Sequence, residues 1–96
     1  MTDAWLYIMS NRKNGTLYVG VTNNIARRAW EHRTGAVKGF TSRYKLTRLV
    51  YVERHDTIEA AIQRETTVKS WPRAWKVRLI NSVNADWNDL YETLHA

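Results

Sequence analysis

The chain has 96 residues, no cysteine, 25% charged residues and a formal net charge of +6. That length allows one domain with a modest core, and the lack of cysteine excludes disulfide staples and cysteine-based zinc fingers and suits a reducing interior. The longest apolar run, Ala4 to Met9, is six residues, far too short to cross a bilayer, and no basic stretch precedes it as in a signal peptide; a cytoplasmic protein with no membrane partner is expected.

Two stretches near the N-terminus, Trp5 to Met9 and Thr16 to Thr22, alternate aliphatic with aromatic or small residues, the period of a strand. Asn14-Gly15 between them is a hairpin signal, because both residues tolerate positive φ. Pairing Asn11 with Thr16 across a four-residue loop sets Tyr7 opposite Gly20 and Met9 opposite Tyr18. A two-residue Asn14-Gly15 turn gives the same faces, whereas a five-residue loop would separate the tyrosines. The expectation is a shared face for Tyr7 and Tyr18, with Leu6, Ile8, Val19 and Val21 on the other.

Asn23 or Asn24 can cap a helix running to about Arg33, with Ile25, Ala29, Ala26 and Trp30 as its apolar side and Thr34-Gly35 as its end. Residues 35–46 read as a long loop with two glycines, three basic residues and two aromatics, long enough to suggest a role beyond connection. Arg48 to Arg54 reads as a third strand. Asp56-x-x-Glu59 resembles a capping box opening a second helix at about Thr57 and ending near Ser70, before Pro72. A third helix is predicted over roughly Pro72 to Ser82, with Trp75, Leu79, Ile80 and Val83 as packing face. Asp86 can cap a last short helix carrying Leu90, Tyr91 and Leu94. The order β-β-α-β-α-α-α predicts an α+β domain spanning residues 1–96, a small three-stranded antiparallel sheet flanked by helices.

Charge is unevenly spread. Residues 11–50 hold nine Lys or Arg (Arg12, Lys13, Arg27, Arg28, Arg33, Lys38, Arg43, Lys45, Arg48) against one acid, Glu31, while residues 86–96 hold three acids and no Lys or Arg. A one-sided basic region favours a polyanionic partner such as nucleic acid, and an ordinary solvated basic surface gives the same pattern.

Few residues suggest chemistry on their own. Glu65 shares a helical stripe with Ile58, Ala61, Ile62 and Val68, so a carboxylate is aimed at or beside the core and needs a partner: a metal ion, an arginine or hydroxyls. Arg28 and His32 are four apart and share a helix face; an arginine grips phosphate bidentately and an imidazole moves protons near neutral pH. His55 and His95 receive no role, and three scattered histidines do not make a metal motif.

Together these residues resemble the GIY-YIG nuclease superfamily over about residues 4–92. Trp5-Leu6-Tyr7 stands at the first signature triplet and Tyr18-Val19-Gly20 at the second. Arg28 falls at the spacing of the family's arginine, His32 at a position held by His or Tyr, and Glu65 at the metal-binding glutamate, with Asn81 at the asparagine beyond it. The first triplet begins with Trp5 in place of glycine, and Asn23 stands where some relatives carry a lysine. The resemblance implies an endonuclease that hydrolyses DNA (or RNA) phosphodiester bonds, in repair or recombination, with one divalent cation, Mg²⁺ or Mn²⁺, on Glu65. It implies proton acceptance from water by Tyr7, helped by His32, phosphate or water binding by Tyr18, and charge neutralisation by Arg28. A phenol as base calls for a lowered pKa, with Arg28 or the cation as the cause. It further implies close approach at Gly20, backbone tracking by Arg27, Arg33, Lys38, Arg43 and Lys45, and base stacking by Phe40 and Tyr44. The alternative is a nucleic-acid-binding module of the same fold without catalysis; a purely structural interaction protein fits the charge map least. Substrate shape, oligomeric state and the choice of tyrosine as base stay open from sequence.

Overall fold

A computed structural model describes residues 3–95, with the side chain of His95 outside the described set. The strands are β1 (Ala4–Ser10), β2 (Leu17–Thr22) and β3 (Arg48–His55); the helices are α1 (Ile25–Thr34), a single turn α2 (Phe40–Arg43), α3 (Ile58–Ser70) and α4 (Arg73–Val83), followed by a 3-10 segment at Leu90–His95. The sheet is antiparallel in the order β2-β1-β3. β1 takes the centre because it carries large apolar side chains on both faces, and Leu6, Tyr7, Ile8 and Met9 are all buried.

The hairpin register is the one in which the tyrosines share a face: Tyr7 pairs with Gly20, and Met9 with Tyr18. Ser10–Leu17 is the last backbone pair. Beyond it the Asn11 side-chain carbonyl accepts from the Thr16 amide at 3.1 Å, standing in for one more rung. Arg73, at the start of α4, donates to the carbonyls of Asn14 and Gly15 and so fixes the turn from outside.

Two clusters flank the sheet. Leu6, Ile8, Val19, Val50 and Tyr51 face Val68 of α3, Ile80 of α4 and Trp87; Tyr7, Met9 and Leu49 face Ile25 and Ala29 of α1, with Leu46 and the 3-10 segment's Leu90, Tyr91 and Leu94. A bulge in β3 between the pairs Ile8–Tyr51 and Met9–Leu49 inserts Val50. That extra residue lets Val50 and Tyr51 both join the first cluster while Leu49 joins the second.

The ends of α1 match the sequence-based expectations, and several other helix details differ. α1 is capped by Asn24, whose side chain accepts from the Arg27 amide, and Gly35 closes it at φ 76°, where a side chain would be strained. Trp30 lies outside its apolar side, 52% exposed. α3 is capped by the Thr57 hydroxyl rather than Asp56, which instead pairs with Arg54. Ile58 and Ile62 face solvent, so the inward stripe of α3 is Ala61 and Val68, with Glu65 between them at the boundary. On α4 only Ile80 is buried; Trp75 and Val83 are exposed.

The C-terminal segment is anchored by Asp89, not Asp86. One Asp89 oxygen accepts from the amides of Leu49 and Tyr91, and the other from Arg33. Asn84 and fully buried Trp87 make the preceding turn: Asn84 donates to the carbonyls of Val50 and Asn88, and the Trp87 indole donates to Asn81 at 2.7 Å. Among the described residues no helix is long and apolar enough to cross a membrane.

Candidate active site

The second cluster ends in a polar group on the β1/β2 face. The Tyr7 hydroxyl lies 3.0 Å from His32 Nε2 and 3.5 Å from an Arg28 guanidinium nitrogen. His32 is buried because its position on α1 continues the Ile25–Ala29 stripe by one more turn. Its other ring nitrogen, Nδ1, is 3.1 Å from Thr41 Oγ1 on α2. Half-buried Tyr18 completes the group, its ring centroid 6.3 Å from Tyr7 and 5.7 Å from His32. Arg28 is held from behind by Glu31 at 3.1 Å, so its orientation toward Tyr7 is fixed while part of the guanidinium stays in solvent. A shallow pocket lined by Thr22, Asn23, Asn24, Arg27, Arg28 and Glu31 adjoins it.

Gly20 makes this arrangement possible. A Cβ placed there would sit 2.5 Å from Tyr7 Cζ and from its hydroxyl oxygen, so the phenol lies directly over the glycine. The close approach at Gly20 is therefore made by the neighbouring tyrosine.

Electrostatics correct the part of one expectation that rests on Arg28. Burial pushes the Tyr7 phenol up to about 12; the Arg28 hydrogen bond and charge oppose this, and Tyr18 and Glu65 add to it. Arg28 is present but does not win, so Tyr7 is a neutral phenol at neutral pH. Burial also lowers His32 from 6.5, helped by the Arg28 charge and opposed by Glu31. His32 is thus a neutral imidazole, able to accept a proton.

The His32 shift carries a stability consequence. A base depressed on folding binds protons more readily unfolded, so its contribution is full above pH 6.5 and declines as pH falls below that value toward the folded pKa. Tyr7, Tyr18, Thr41, Arg28 and Glu31 surround the ring. Urea midpoints from pH 7.5 to 5.5 are expected to fall more steeply for the native chain than for His32→Asn; equal slopes would remove His32 as the cause.

Glu65 lies on α3, whose buried Val68 packs in the first cluster. Its charge is felt at Tyr7, its side chain is 21% exposed, and Lys69 pairs with it at 3.2 Å. Among the described residues no group of three His, Asp or Glu is gathered to hold a metal. Mg²⁺ often uses only one or two carboxylates and completes its shell with water and substrate phosphate. Glu65, a lone carboxylate, fits that mode once Lys69 gives way.

The remaining candidates divide. Arg27 is exposed at the pocket rim, in a loose pair with Glu31. Lys38, Arg43 and Lys45 are exposed around α2, and among the described residues none of the three has a carboxylate partner. Phe40 and Tyr44 form an exposed aromatic pair 4.8 Å apart on the outer side of α2, with Arg43 over the Tyr44 ring. Arg33 is diverted: it pairs with Asp89 at 2.6 Å and lies over the Tyr91 ring, tying α1 to the C-terminal segment. Asn81 is diverted too, its amide oxygen being the acceptor for Trp87. Thr41 was not singled out from the sequence as a site residue, because nothing in a loop reveals which hydroxyl turns inward. His55 joins Tyr51 and Arg64 in hydrogen-bonding Glu53 on β3, a satisfied structural cluster.

A three-stranded sheet bearing this tyrosine–histidine–arginine cluster has the framework of a nuclease-type domain. Residues 3–78 match the model of the GIY-YIG catalytic domain, and the chain belongs to the GIY-YIG family. It is similar to a UPF0213 protein of Natronomonas pharaonis, with 41% identity over 78 residues covering 81% of this chain and 91% of that protein. A UPF0213 protein of Staphylococcus saprophyticus is 33% identical over 81 residues, covering 84% and 98%. The solution structure of a UPF0213 protein from Bacillus halodurans superposes with a TM-score of 0.57 at 26% identity, covering 91% of this chain and 92% of that one.

Proposed function

We propose that the protein is a metal-assisted endonuclease that hydrolyses DNA phosphodiester bonds. The observation that carries this reading is the Arg28–Tyr7–His32 chain of contacts, with the Glu65 charge acting on Tyr7. A phenol at about 12 supplies only about one part in 10⁵ of phenolate at pH 7. Tyr7 therefore acts as a relay. As it takes the proton from the attacking water, it passes its own proton to His32 Nε2. The P–O3′ bond then breaks and the leaving oxygen takes its proton from solvent. Arg28 donates to the phosphate as charge builds there, and needs no reorganisation because Glu31 already holds it. Tyr18 hydrogen-bonds water or phosphate from β2. A divalent cation on Glu65, when bound, would polarise the phosphate and stabilise the leaving oxygen. Arg27, Lys38, Arg43 and Lys45 follow the nucleic-acid backbone, and Phe40 and Tyr44 offer a stacking surface.

The test is cleavage of duplex, single-stranded, flap and branched DNA with Mg²⁺ or Mn²⁺, beside Glu65→Ala and Arg28→Ala. Cutting that needs metal and is lost in both variants is expected. Binding without cutting, unchanged in the variants, replaces this reading with a nucleic-acid-binding module.

A further inference from the structure

Thr41 is buried, and its hydroxyl is aimed at His32. The hydrogen-bond roles around it follow from what each group is able to donate. A guanidinium only donates, so at the Tyr7 oxygen Arg28 is the donor and the phenol hydrogen is left for its other partner. That partner is His32 Nε2 at 3.0 Å, which must then be the bare nitrogen. A neutral imidazole with a bare Nε2 carries its proton on Nδ1. Nδ1–H is buried and needs an acceptor, and Thr41 Oγ1 at 3.1 Å is in place to accept.

The backbone around Thr41 is built to hold that hydroxyl. α2 is a single turn, opened at Gly39 with φ 111° and followed by Lys45 at φ 57° and fully buried Leu46. Thr41 is its one buried residue, at 4% exposure, and its carbonyl accepts from the Leu46 amide. Phe40, Ser42, Arg43 and Tyr44 all face outward.

We propose that Thr41 is a positioning residue that fixes His32 in the Nδ1–H tautomer, so that Nε2 is free to receive the Tyr7 proton. This rests on the proposed hydrolysis for its catalytic consequence, but the tautomer itself stands apart from activity. The hydroxyl also keeps accepting from Nδ1–H once Nε2 is protonated, so the ring does not turn during the transfer. The sequence logic is that Thr supplies both the acceptor oxygen and a methyl group to fill the buried site; Val keeps the shape and removes the acceptor, and Ser keeps the acceptor.

The experiment uses the full chain with ¹⁵N-labelled histidine. Long-range ¹⁵N–¹H spectra at pH 7.5 are expected to show His32 with a protonated Nδ1 and bare Nε2 in the native chain and in Thr41→Ser, and a shift toward protonated Nε2 in Thr41→Val. A native Nε2–H tautomer, or an unchanged tautomer in Thr41→Val, overturns the proposal whether or not the protein cuts DNA. In cleavage assays Thr41→Val should lower kcat about 10- to 100-fold with KM within about twofold, and Thr41→Ser should recover most of that loss. A rise in KM alone, or equal loss in Thr41→Ser, overturns the positioning role. Failure of the native chain to cut any substrate sinks the nuclease reading, and the spectra still decide what Thr41 does.

Discussion

Tyr7→Phe is expected to lower the cleavage rate by about 10²–10⁴-fold, the range of a general acid–base step, while the protein stays folded. The two effects separate because the substitution removes one oxygen and no buried carbon. Ring packing over Gly20 and beside Met9, Leu46 and Leu49 is kept. Stability falls by about 1–3 kcal/mol, because His32 Nε2 is left buried without its donor. Arg28 loses one acceptor but retains Glu31, and its side chain is 37% exposed, so water replaces the contact. The pH–rate profile offers a second reading of the same variant. If His32 receives the proton through Tyr7, the native rate rises through a limb below pH 6.5, where the depressed imidazole becomes neutral, and that limb disappears in Tyr7→Phe. A loss under tenfold with the limb intact would assign Tyr7 an orienting role and leave water activation to another group.

Much of this geometry was legible in the sequence where a strict period governs side-chain direction. In a hairpin one residue of slip inverts every face, so the apolar face together with Asn14-Gly15 allowed few registers, and the observed one brings the tyrosines together. The Arg28–His32 spacing on α1 is similarly rigid. Periodicity explains the placement of Glu65 only in part. The sequence pattern puts Ile58 and Ile62 on the inward stripe with it, and both face solvent; Glu65 still sits beside the inward residues because it is four residues after Ala61 and three before Val68. Helical periodicity locates a face only to within about a residue's width, and on a helix lying over a sheet the boundary decides what a carboxylate sees.

Where no period operates, the sequence was silent. Nothing in residues 35–46 marks Thr41 as inward and Phe40 as outward, since the single turn of α2 depends on where Leu46 buries. The C-terminal anchor moved from Asp86 to Asp89 because Asn84 and Trp87 form an extra turn, with Trp87 at φ 55°. Arg33 and Asn81 show a different limit. Each occupies a position consistent with the site, and each is held by a partner distant in sequence, Asp89 and Trp87. Charge or family position does not reveal such partners; only the folded chain does.

Gly20→Ala is the substitution that joins the two levels, and it is expected to lower activity about 100-fold, as a misplacement near 1 Å can. The added methyl would lie 2.5 Å from two atoms of the Tyr7 phenol, closer than carbon atoms tolerate. The strand cannot yield cheaply, because Gly20 is paired to the central strand and flanked by Val19 in the opposite cluster. The ring therefore tips away, carrying the hydroxyl off His32 and Arg28, with about 1–3 kcal/mol of overpacking cost. This makes a sharp double-substitution test. Tyr7→Leu removes the ring atoms that clash, so Gly20→Ala should cost markedly less stability on a Tyr7→Leu background than on the native one, a coupling expected only between residues in contact. Additive stability losses would mean the phenol does not lie over the glycine. Activity should stay absent in the double variant even where stability returns, because the methyl and the hydroxyl compete for one place: glycine in the second triplet is the space in which the first triplet's tyrosine works.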